Sequence, residues 1–126
     1  MSYMAAMLLT YLTPEDSLLV LVQMIYKQEM IGYFRRGMPA LFDSFYCLQK
    51  LMEKYLPKLH NHFMEIMFIP QMYASQWFMT VFVVDFPHEV AVRIWDIFLI
   101  EGRKIIYRIA LAIFMILEKD LLGAEM

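Results

Sequence analysis

Residues 66–84 carry no charged side chain, and this stretch decides which solvent the chain can fold in. About 20 consecutive apolar residues are enough to cross a bilayer as a helix, so its length alone is compatible with a membrane span. The stretch also holds Pro70 and the polar residues Gln71, Ser75 and Gln76. No cluster of Lys or Arg flanks it to set an orientation. We therefore interpret it as a buried part of a water-soluble protein and expect no transmembrane span.

Apolar residues elsewhere recur at three- and four-residue spacing, which is typical of amphipathic helices. Thr13 followed by Pro14 has the pattern of an N-cap and a first helical position. The segments lack the period-two alternation of strands. The sequence therefore predicts an all-α, antiparallel helical array with short loops. The seven predicted helices cover residues 2–12, 14–30, 40–56, 57 to about 69, 71–84, 87–102 and 104–119, and residues 31–40 form the clearest loop.

The composition is unusually apolar for a single domain of 126 residues. Hydrophobic residues make up 61% and charged residues 19%, against roughly 45–50% and 25% in soluble domains. Either the chain meets lipid, or further parts of a larger globule cover its apolar surfaces. The net charge of −2 argues against a nucleic-acid partner. A single cysteine, Cys47, excludes an internal disulfide and fits a reducing compartment.

Motifs of catalysis or cofactor binding are weak. There is no glycine-rich phosphate loop, so we expect no bound nucleotide or other cofactor. His60 and His62 point to different faces of a helix, and His62 with Glu65 supplies only two ligands, too few for a zinc site. Cys47 has no base beside it and is interpreted as a small apolar residue.

Arg35 and Arg36 occupy the glycine-flanked loop, a place where function often resides. A loop arginine can act in trans on a phosphoryl transition state, although a solvated basic turn is the interpretation we favour. Trp77 and Trp95 are expected to be core residues. Gln76, beside Trp77, must find a partner or face an opening.

A narrow polar stripe is predicted in the helix of residues 87–102. Glu89, Arg93 and Asp96 are spaced at i, i+4 and i+7, so they share one face among apolar neighbours. An unpaired buried charge is very costly. We therefore predict that this helix is buried on most sides and that Arg93 forms an ion-paired seam with Asp96, Glu89 or backbone carbonyls.

Four short motifs then follow one another: S-Q-W-F at residues 75–78, F-P at 86–87, R-I-W-D at 93–96 and E-G at 101–102. In this order they resemble the C-terminal half of the TBC domain of Rab GTPase-activating proteins. The segment of residues 1–25 is similar to that family too, so the resemblance covers essentially the whole chain. It implies structural roles for five residues: Trp77, Pro87, Arg93, Trp95 and Asp96.

The resemblance implies an all-helical fold and a two-finger mechanism. Family members accelerate GTP hydrolysis on Rab proteins with an arginine from an I-x-x-D-x-x-R motif and a glutamine from a Y-x-Q-G motif. Neither motif occurs in residues 1–126. The Y-x-Q at residues 26–28 lacks the glycine and is taken as chance, and Arg35-Arg36 does not match the finger motif. We expect a partial TBC domain that lacks the N-terminal finger half and the last helices, without catalytic residues and inactive alone.

The implied function is that of a fragment of a GTPase-activating protein for Rab-family GTPases in vesicle and membrane traffic. The implied partners are a GTP-bound Rab-type GTPase and the missing remainder of the TBC domain, with a cytoplasmic location that extends to the periphery of endomembranes. Two alternatives stay open: a non-catalytic GTPase- or protein-binding helical module and a small membrane protein. Four residues are candidate partner contacts: Arg35, Arg36, Tyr73 and Gln76.

Overall fold

The computed structural model describes residues 2–123, with side chains from residue 3, and contains no β-strand within that range. The predicted all-α fold is confirmed. No helix in this part of the chain is both long and apolar enough to cross a membrane. The helices are α1 (Ser2–Tyr11), α2 (Pro14–Tyr26), α3 (Ile31–Phe34), α4 (Pro39–Tyr55), α5 (Pro57–Glu65), a 3-10 helix (Pro70–Met72), α6 (Ser75–Thr80), α7 (His88–Glu101) and α8 (Lys104–Leu122).

Prolines set the starts of three helices. Pro14, Pro39 and Pro57 each occupy the first turn of α2, α4 and α5. The fixed φ of proline suits that position, and its missing N–H would have no helical partner there. Thr13 is the N-cap of α2, as predicted: its Oγ1 accepts a hydrogen bond from the backbone N–H of Asp16 at 3.2 Å.

Helix α2 ends at Tyr26, four residues earlier than predicted. The chain turns at Glu29, whose φ of 60° lies in the left-handed region, which L-residues other than glycine rarely adopt. The predicted loop of residues 31–40 contains the short helix α3, and Tyr33 within it is completely buried. The first half of this predicted loop therefore packs against the core.

The prediction of one helix over residues 71–84 is wrong. A 3-10 turn and the short helix α6 take its place, and Val81 and Phe82 then adopt φ values of 49° and 66°. Both side chains are completely buried. The carbonyl of Val81 accepts the indole N–H of Trp95 at 3.0 Å. Packing against α7 thus outweighs the local helical pattern.

The main core lies between α4, α5, α6 and α8 and is built from rings. The ring of Phe114 lies with its centroid 5.6 Å from that of Phe63 and 5.3 Å from that of Tyr73. Phe78 contacts the ring of Tyr107 at 5.3 Å. We call this cluster the aromatic core: Tyr33, Phe45, Phe63, Phe68, Tyr73, Trp77, Phe78, Tyr107 and Phe114.

Helices α1 and α2 pack against each other as a helical hairpin, which we call the methionine hairpin (residues 2–26). Its buried side is made largely of Met4, Met7 and Met24. The opposite side of α2 carries large apolar side chains that are exposed. We call this side the α2 face: Leu18, Leu19, Val22 and Tyr26.

Candidate partner-binding site

Arg35 and Arg36 lie in the turn between α3 and α4, and both are exposed. The backbone N–H of Met38 donates to the carbonyl of Arg35 at 2.9 Å and closes the turn. Gly37 and Met38 both have left-handed φ values, 83° and 47°. The turn therefore presents two cationic side chains to solvent from a tightly wound backbone.

Two contacts anchor this turn to α4. A Cβ atom placed on Gly32 would lie 2.5 Å from Cβ of Ala40, so the backbone of α3 touches the start of α4. The hydroxyl of Tyr33 and that of Ser44 form a buried hydrogen bond at 2.7 Å. The position of the arginine pair is thus set by the core and not by the loop alone.

Arg35 also borders an apolar groove with a volume of 380 Å³ between α2 and α3. A groove of this kind suits an apolar side chain or helix of a partner, with the guanidinium available for an acidic group at its edge. The lining comes from part of the α2 face and from α3: Leu18, Val22, Tyr26, Ile31 and Phe34.

Tyr73 lies inside the aromatic core and is half-buried. Its hydroxyl donates to Sδ of Met52 at 3.5 Å, and its ring lies 5.4 Å from that of Trp77. Burial raises the pKa of the Tyr73 phenol well above its ordinary value. This position favours a packing role, and the predicted partner contact at Tyr73 stays a prediction.

Gln76 is exposed on α6, so it faces the opening that the sequence required of it. Its backbone carbonyl accepts a hydrogen bond from the hydroxyl of Thr80 at 2.6 Å, within the helix. The rings of Tyr33 and Phe78 stack with centroids 6.2 Å apart, so α3 and α6 are neighbours in the fold. Gln76 thus lies on a helix that neighbours α3, the helix that precedes the arginine turn.

The predicted ion-paired seam in α7 is wrong. Glu89, Arg93 and Asp96 are all exposed, and none takes part in an ion pair within residues 2–123. The reason is the direction of α7, which turns Ile94 and Trp95 into the core and the polar stripe into solvent. Hydration of the charges therefore makes a buried partner unnecessary.

Among the other motif residues, Pro87 and Trp95 lie where the sequence predicted, whereas Trp77, predicted as a core residue, is only partly buried. Pro87 is the N-cap of α7, and Trp95 is 3% exposed. Trp77 is half-buried, with its ring 5.4 Å from that of Phe82. These side chains fix the packing of the segment between α6 and α7.

The sequence did not predict a polar junction that links the turn after α2 to the end of α7 and the start of α8. The side chain of Gln28 donates to the backbone carbonyls of Phe98 and Leu99 at 3.3 and 3.1 Å. Nη2 of Arg103 donates to Oε2 of Glu29 at 3.0 Å. The one available signal was the pair of opposite charges in the turns that follow α2 and α7. We call Gln28, Glu29 and Arg103 the polar junction.

Neighbouring groups at this junction stabilise the positive charge of Arg103. Its guanidinium lies 5.8 Å above the centre of the Tyr33 ring. Burial acts to lower the pKa of Arg103, but the proximity of Tyr33 and Glu29 outweighs burial, and the pKa is raised. The junction borders an open cavity of 530 Å³. Its donor groups hold helices together, whereas Oε1 of Gln28 is buried and has no hydrogen-bond partner in the described part of the chain.

The described part of the chain was searched by geometry for side chains that could bind a metal ion together. No group of three or more His, Cys, Asp or Glu residues between residues 2 and 123 is arranged to hold a metal ion. His60, His62 and Glu65 do not form such a group, and Cys47 is exposed on α4. The exposed features near the predicted contacts are the arginine turn and the adjoining apolar groove.

Comparison with known protein families agrees with this geometry. Residues 1–122 match the family model described as the Rab-GTPase-TBC domain. The chain belongs to the Rab-GTPase-TBC domain family, so the resemblance stated from the sequence motifs is confirmed.

Several curated proteins are similar over almost the whole chain. The human protein named "Ecotropic viral integration site 5 protein homolog" is 31% identical over 99% of this chain and 15% of its own length. Two Caenorhabditis elegans proteins, "Rab GTPase-activating protein tbc-11" and "Rab GTPase-activating protein eat-17", are 34% and 31% identical over 99% of the chain. The chain spans only 13–15% of the length of these three relatives.

Proposed function

We propose that this chain is part of a GTPase-activating protein that acts on GTP-bound Rab-type GTPases in membrane traffic. The family match across residues 1–122 is the observation that carries the proposal. The names of two relatives describe the same activity. The proposed location is the cytoplasm and the periphery of endomembranes, where Rab-type GTPases would be met.

Within this function, we assign the chain a scaffold and binding role. Residues 1–126 hold neither finger motif of the family, I-x-x-D-x-x-R or Y-x-Q-G. Both reactive side chains would come from the remainder of a TBC domain that packs on this part. The arginine would stabilise charge on the transferred phosphoryl group, and the glutamine would orient the attacking water.

Arg35, Arg36 and Gln76 are the proposed contacts with the GTPase. The two arginines are exposed cations on an anchored turn, and Arg35 borders the apolar groove. Such charges raise the association rate with an acidic partner, and the effect weakens as salt is added. Gln76 is an exposed hydrogen-bonding side chain on the neighbouring helix. Tyr73 is the weakest of the four candidate contacts because its ring lies in the aromatic core.

A hydrolysis assay tests the scaffold assignment. The purified chain is added to a panel of GTP-loaded Rab GTPases, and phosphate release is followed in single turnover. We expect no acceleration by the chain alone. Many-fold acceleration would contradict the scaffold role and would make Arg35 and Arg36 the first residues to mutate.

A binding assay tests the contact residues. The chain is immobilised and titrated with the same GTPases in the GTP- and GDP-loaded states, and we expect tighter binding of the GTP-loaded form. The variant R35A/R36A is expected to weaken binding several-fold, most strongly at low salt. Lys119→Ala, an exposed cation at the far end of α8, is the matched control and should leave the affinity unchanged. Equal effects of both variants would remove the arginine turn from the interface.

A non-catalytic binding module is the second candidate, favoured by the absence of both finger motifs from residues 1–126. Such a module would bind a GTPase without activating it. The sequence of the messenger RNA distinguishes the two functions. A reading frame that encodes both finger motifs upstream of the codon for Met1 supports the activator. Translation that initiates at the codon for Met1 supports the module.

A further inference from the structure

Arg103 lies where the chain passes from α7 to α8, and its backbone is fixed there. Gly102, with a φ of 84°, ends α7, and Arg103 is the N-cap of α8. The backbone N–H of Ile106 donates to the carbonyl of Arg103 at 3.1 Å. The side chain of Arg103 is only 30% exposed. It therefore reaches from a fixed point at the start of α8 into the molecule rather than into solvent.

The guanidinium of Arg103 contacts the chain on both sides of the start of α3. Nη2 donates to Oε2 of Glu29, two residues before α3, at 3.0 Å. Cζ lies 5.8 Å from the centre of the Tyr33 ring, within α3. A guanidinium at this distance from a ring is attracted by its negative face. One side chain of α8 thus holds both α3 and the segment that leads into it.

The segment before α3 depends on such contacts because its backbone is unusual. Glu29 has a φ of 60°, a conformation that residues other than glycine rarely adopt. Such a residue persists when the surrounding structure holds it in place. The side chain of Gln28 is bonded to two carbonyls of α7, and that of Glu29 to Arg103. The entry into α3 is therefore held by α7 and α8 and not by local preference.

Helix α3 passes this constraint on to the arginine turn. It has only four residues, and the backbone N–H of Arg35 donates to the carbonyl of Ile31 at 3.1 Å. Arg35 follows Tyr33 by two residues, and Arg36 comes next. A displacement of Tyr33 would therefore displace both cationic side chains of the turn.

We propose that Arg103 is a positioning residue for GTPase binding. Through Glu29 and Tyr33 it holds α3, so that the turn presents Arg35 and Arg36 in the orientation that the GTPase binds. This inference rests on the proposed function. Without Arg103 only a fraction of the chains would hold this orientation, and the apparent affinity would fall by that fraction. An ion pair at a partly exposed site and a cation–π contact are modest interactions, so the expected loss is roughly twofold to tenfold.

Arg108 provides a matched control on the same helix. Its Nη1 lies 3.7 Å from Oε2 of Glu101, so its ion pair joins α8 to α7. Arg108→Ala removes the same charge from the same helix as Arg103→Ala does, and it leaves the contacts of Glu29 and Tyr33 intact. An effect of net charge or of a weakened α8 on GTPase binding would appear equally in both variants.

Binding of a GTP-loaded Rab GTPase to the immobilised chain is the first test. Arg103→Ala is expected to weaken binding roughly twofold to tenfold, and Arg108→Ala should leave the affinity unchanged. Arg103→Lys keeps a charge beside Glu29 but lacks the planar group that lies over the ring of α3, so it should recover part of the loss. Equal losses in Arg103→Ala and Arg108→Ala would overturn the proposal.

A double-mutant cycle tests whether Arg103 acts through the turn. In the R35A/R36A background, Arg103→Ala should cause no further loss of affinity, because the side chains that it positions are gone. A further loss of the same size in that background would mean that Arg103 acts on binding by another route, and the positioning role would be wrong.

Hydrogen exchange tests the position of the turn without a GTPase. The amide protons of Arg35 and Met38 donate hydrogen bonds within α3 and the turn. In Arg103→Ala we expect both to exchange several-fold faster. The amide of His60 in α5, which donates to a backbone carbonyl at 2.9 Å, should keep its rate. Equal acceleration at all three amides, or the same change in Arg108→Ala, would indicate a general loss of stability and contradict the proposal.

These measurements separate the inference from the proposed function. If R35A/R36A leaves the affinity unchanged, the proposed contacts with the GTPase are refuted, and the binding role of Arg103 fails with them. If R35A/R36A weakens binding and Arg103→Ala does not, the contacts stand and the positioning role alone is refuted.

Discussion

The aromatic core and the methionine hairpin bury their apolar groups in different ways. In the aromatic core the ring of Phe78 contacts those of Tyr33, Phe45 and Tyr107, with centroids 5.3–6.3 Å apart. Rings have few rotamers and specific preferred geometries, so such contacts define one arrangement. Phe78 is completely buried, which makes it a fixed point between α3, α4, α6 and α8.

The methionine hairpin uses flexible side chains on its buried side and leaves its outer side open. Met4 and Met24 are completely buried, whereas Leu18 and Leu19 are mostly exposed. Methionine has three rotatable bonds and adapts to irregular gaps. The hairpin is tied to the rest of the molecule partly by the polar junction and by the stacked rings of Tyr11 and His88. One region is thus packed by rings of defined geometry, and the other by flexible side chains that tolerate more than one arrangement.

Truncation in the aromatic core should have the largest effect. We expect Phe78→Ala to lower the free energy of unfolding by about 3–5 kcal/mol, because a completely buried ring is replaced by a cavity. Urea unfolding followed by circular dichroism measures the change. A loss below about 1 kcal/mol would mean that the core can collapse around the gap and is not the rigid region.

Truncation in the methionine hairpin should cost less. Met24→Ala is expected to lower the free energy of unfolding by about 2–3 kcal/mol. The matched change Met24→Leu nearly conserves volume and should cost less than about 1.5 kcal/mol. The same urea titration gives both values. If Met24→Leu proved as damaging as Met24→Ala, the hairpin would be packed as specifically as the rings, and the comparison would fail.

The contact between α3 and α4 lies at the border of the two regions. Gly32→Ala should destabilise the chain by about 1–3 kcal/mol, because the new methyl group would collide with Cβ of Ala40. The double variant G32A/A40G removes the collision and should regain most of the loss. Gly123→Ala is the control, since its nearest neighbour would be at an ordinary 3.7 Å. A thermal melt that separates none of these variants would show that α3 shifts freely against α4.

The Tyr73 phenol gives the smallest effect at neutral pH. Tyr73→Phe removes only a weak contact with Sδ of Met52 and should change the free energy of unfolding by less than about 1 kcal/mol. Burial raises the folded-state pKa above the unfolded value of about 10. The stability that depends on the neutral phenol is therefore complete below pH of about 10 and is lost as the pH rises further.

The alkaline limb of the stability curve measures this. Tyr73→Phe should flatten the loss of stability above pH 10, while Tyr55→Phe, at an exposed position, should not. Burial also raises the pKa of Tyr107, so some alkaline loss will persist in the Tyr73 variant. An unchanged alkaline limb in Tyr73→Phe would mean that the phenol is not held out of water.

Helical spacing and the positions of the prolines predicted most of the helices. The starts at Pro14 and Pro57, the cap at Thr13 and the buried Trp95 were all predicted from local rules. The resemblance to the Rab GTPase-activating family, carried by four motifs and by the segment of residues 1–25, is confirmed. These features depend on residues that are close together in the sequence, so they can be predicted without knowledge of the tertiary contacts.

The errors arose where tertiary contacts decide. The left-handed residues Val81 and Phe82 follow from burial and from the hydrogen bond to Trp95, which no local pattern encodes. Arg93 was predicted to be buried because its neighbours in sequence are apolar. That inference fails on α7 because apolar side chains of this helix are themselves exposed: Ile100 is 86% exposed. For the candidate site, the sequence predicted an exposed arginine turn and could not predict the groove, which needs α2 and α3 side by side.

The bond from Trp95 to the carbonyl of Val81 has a consequence for how the chain acquires its shape. The turn at residues 81–82 gains its partner only when α7 arrives, so the intervening segment must stay unsettled until then. Indole emission should therefore change later after dilution from denaturant than the helical signal does. A stopped-flow record would show this delay as a lag between the two optical probes.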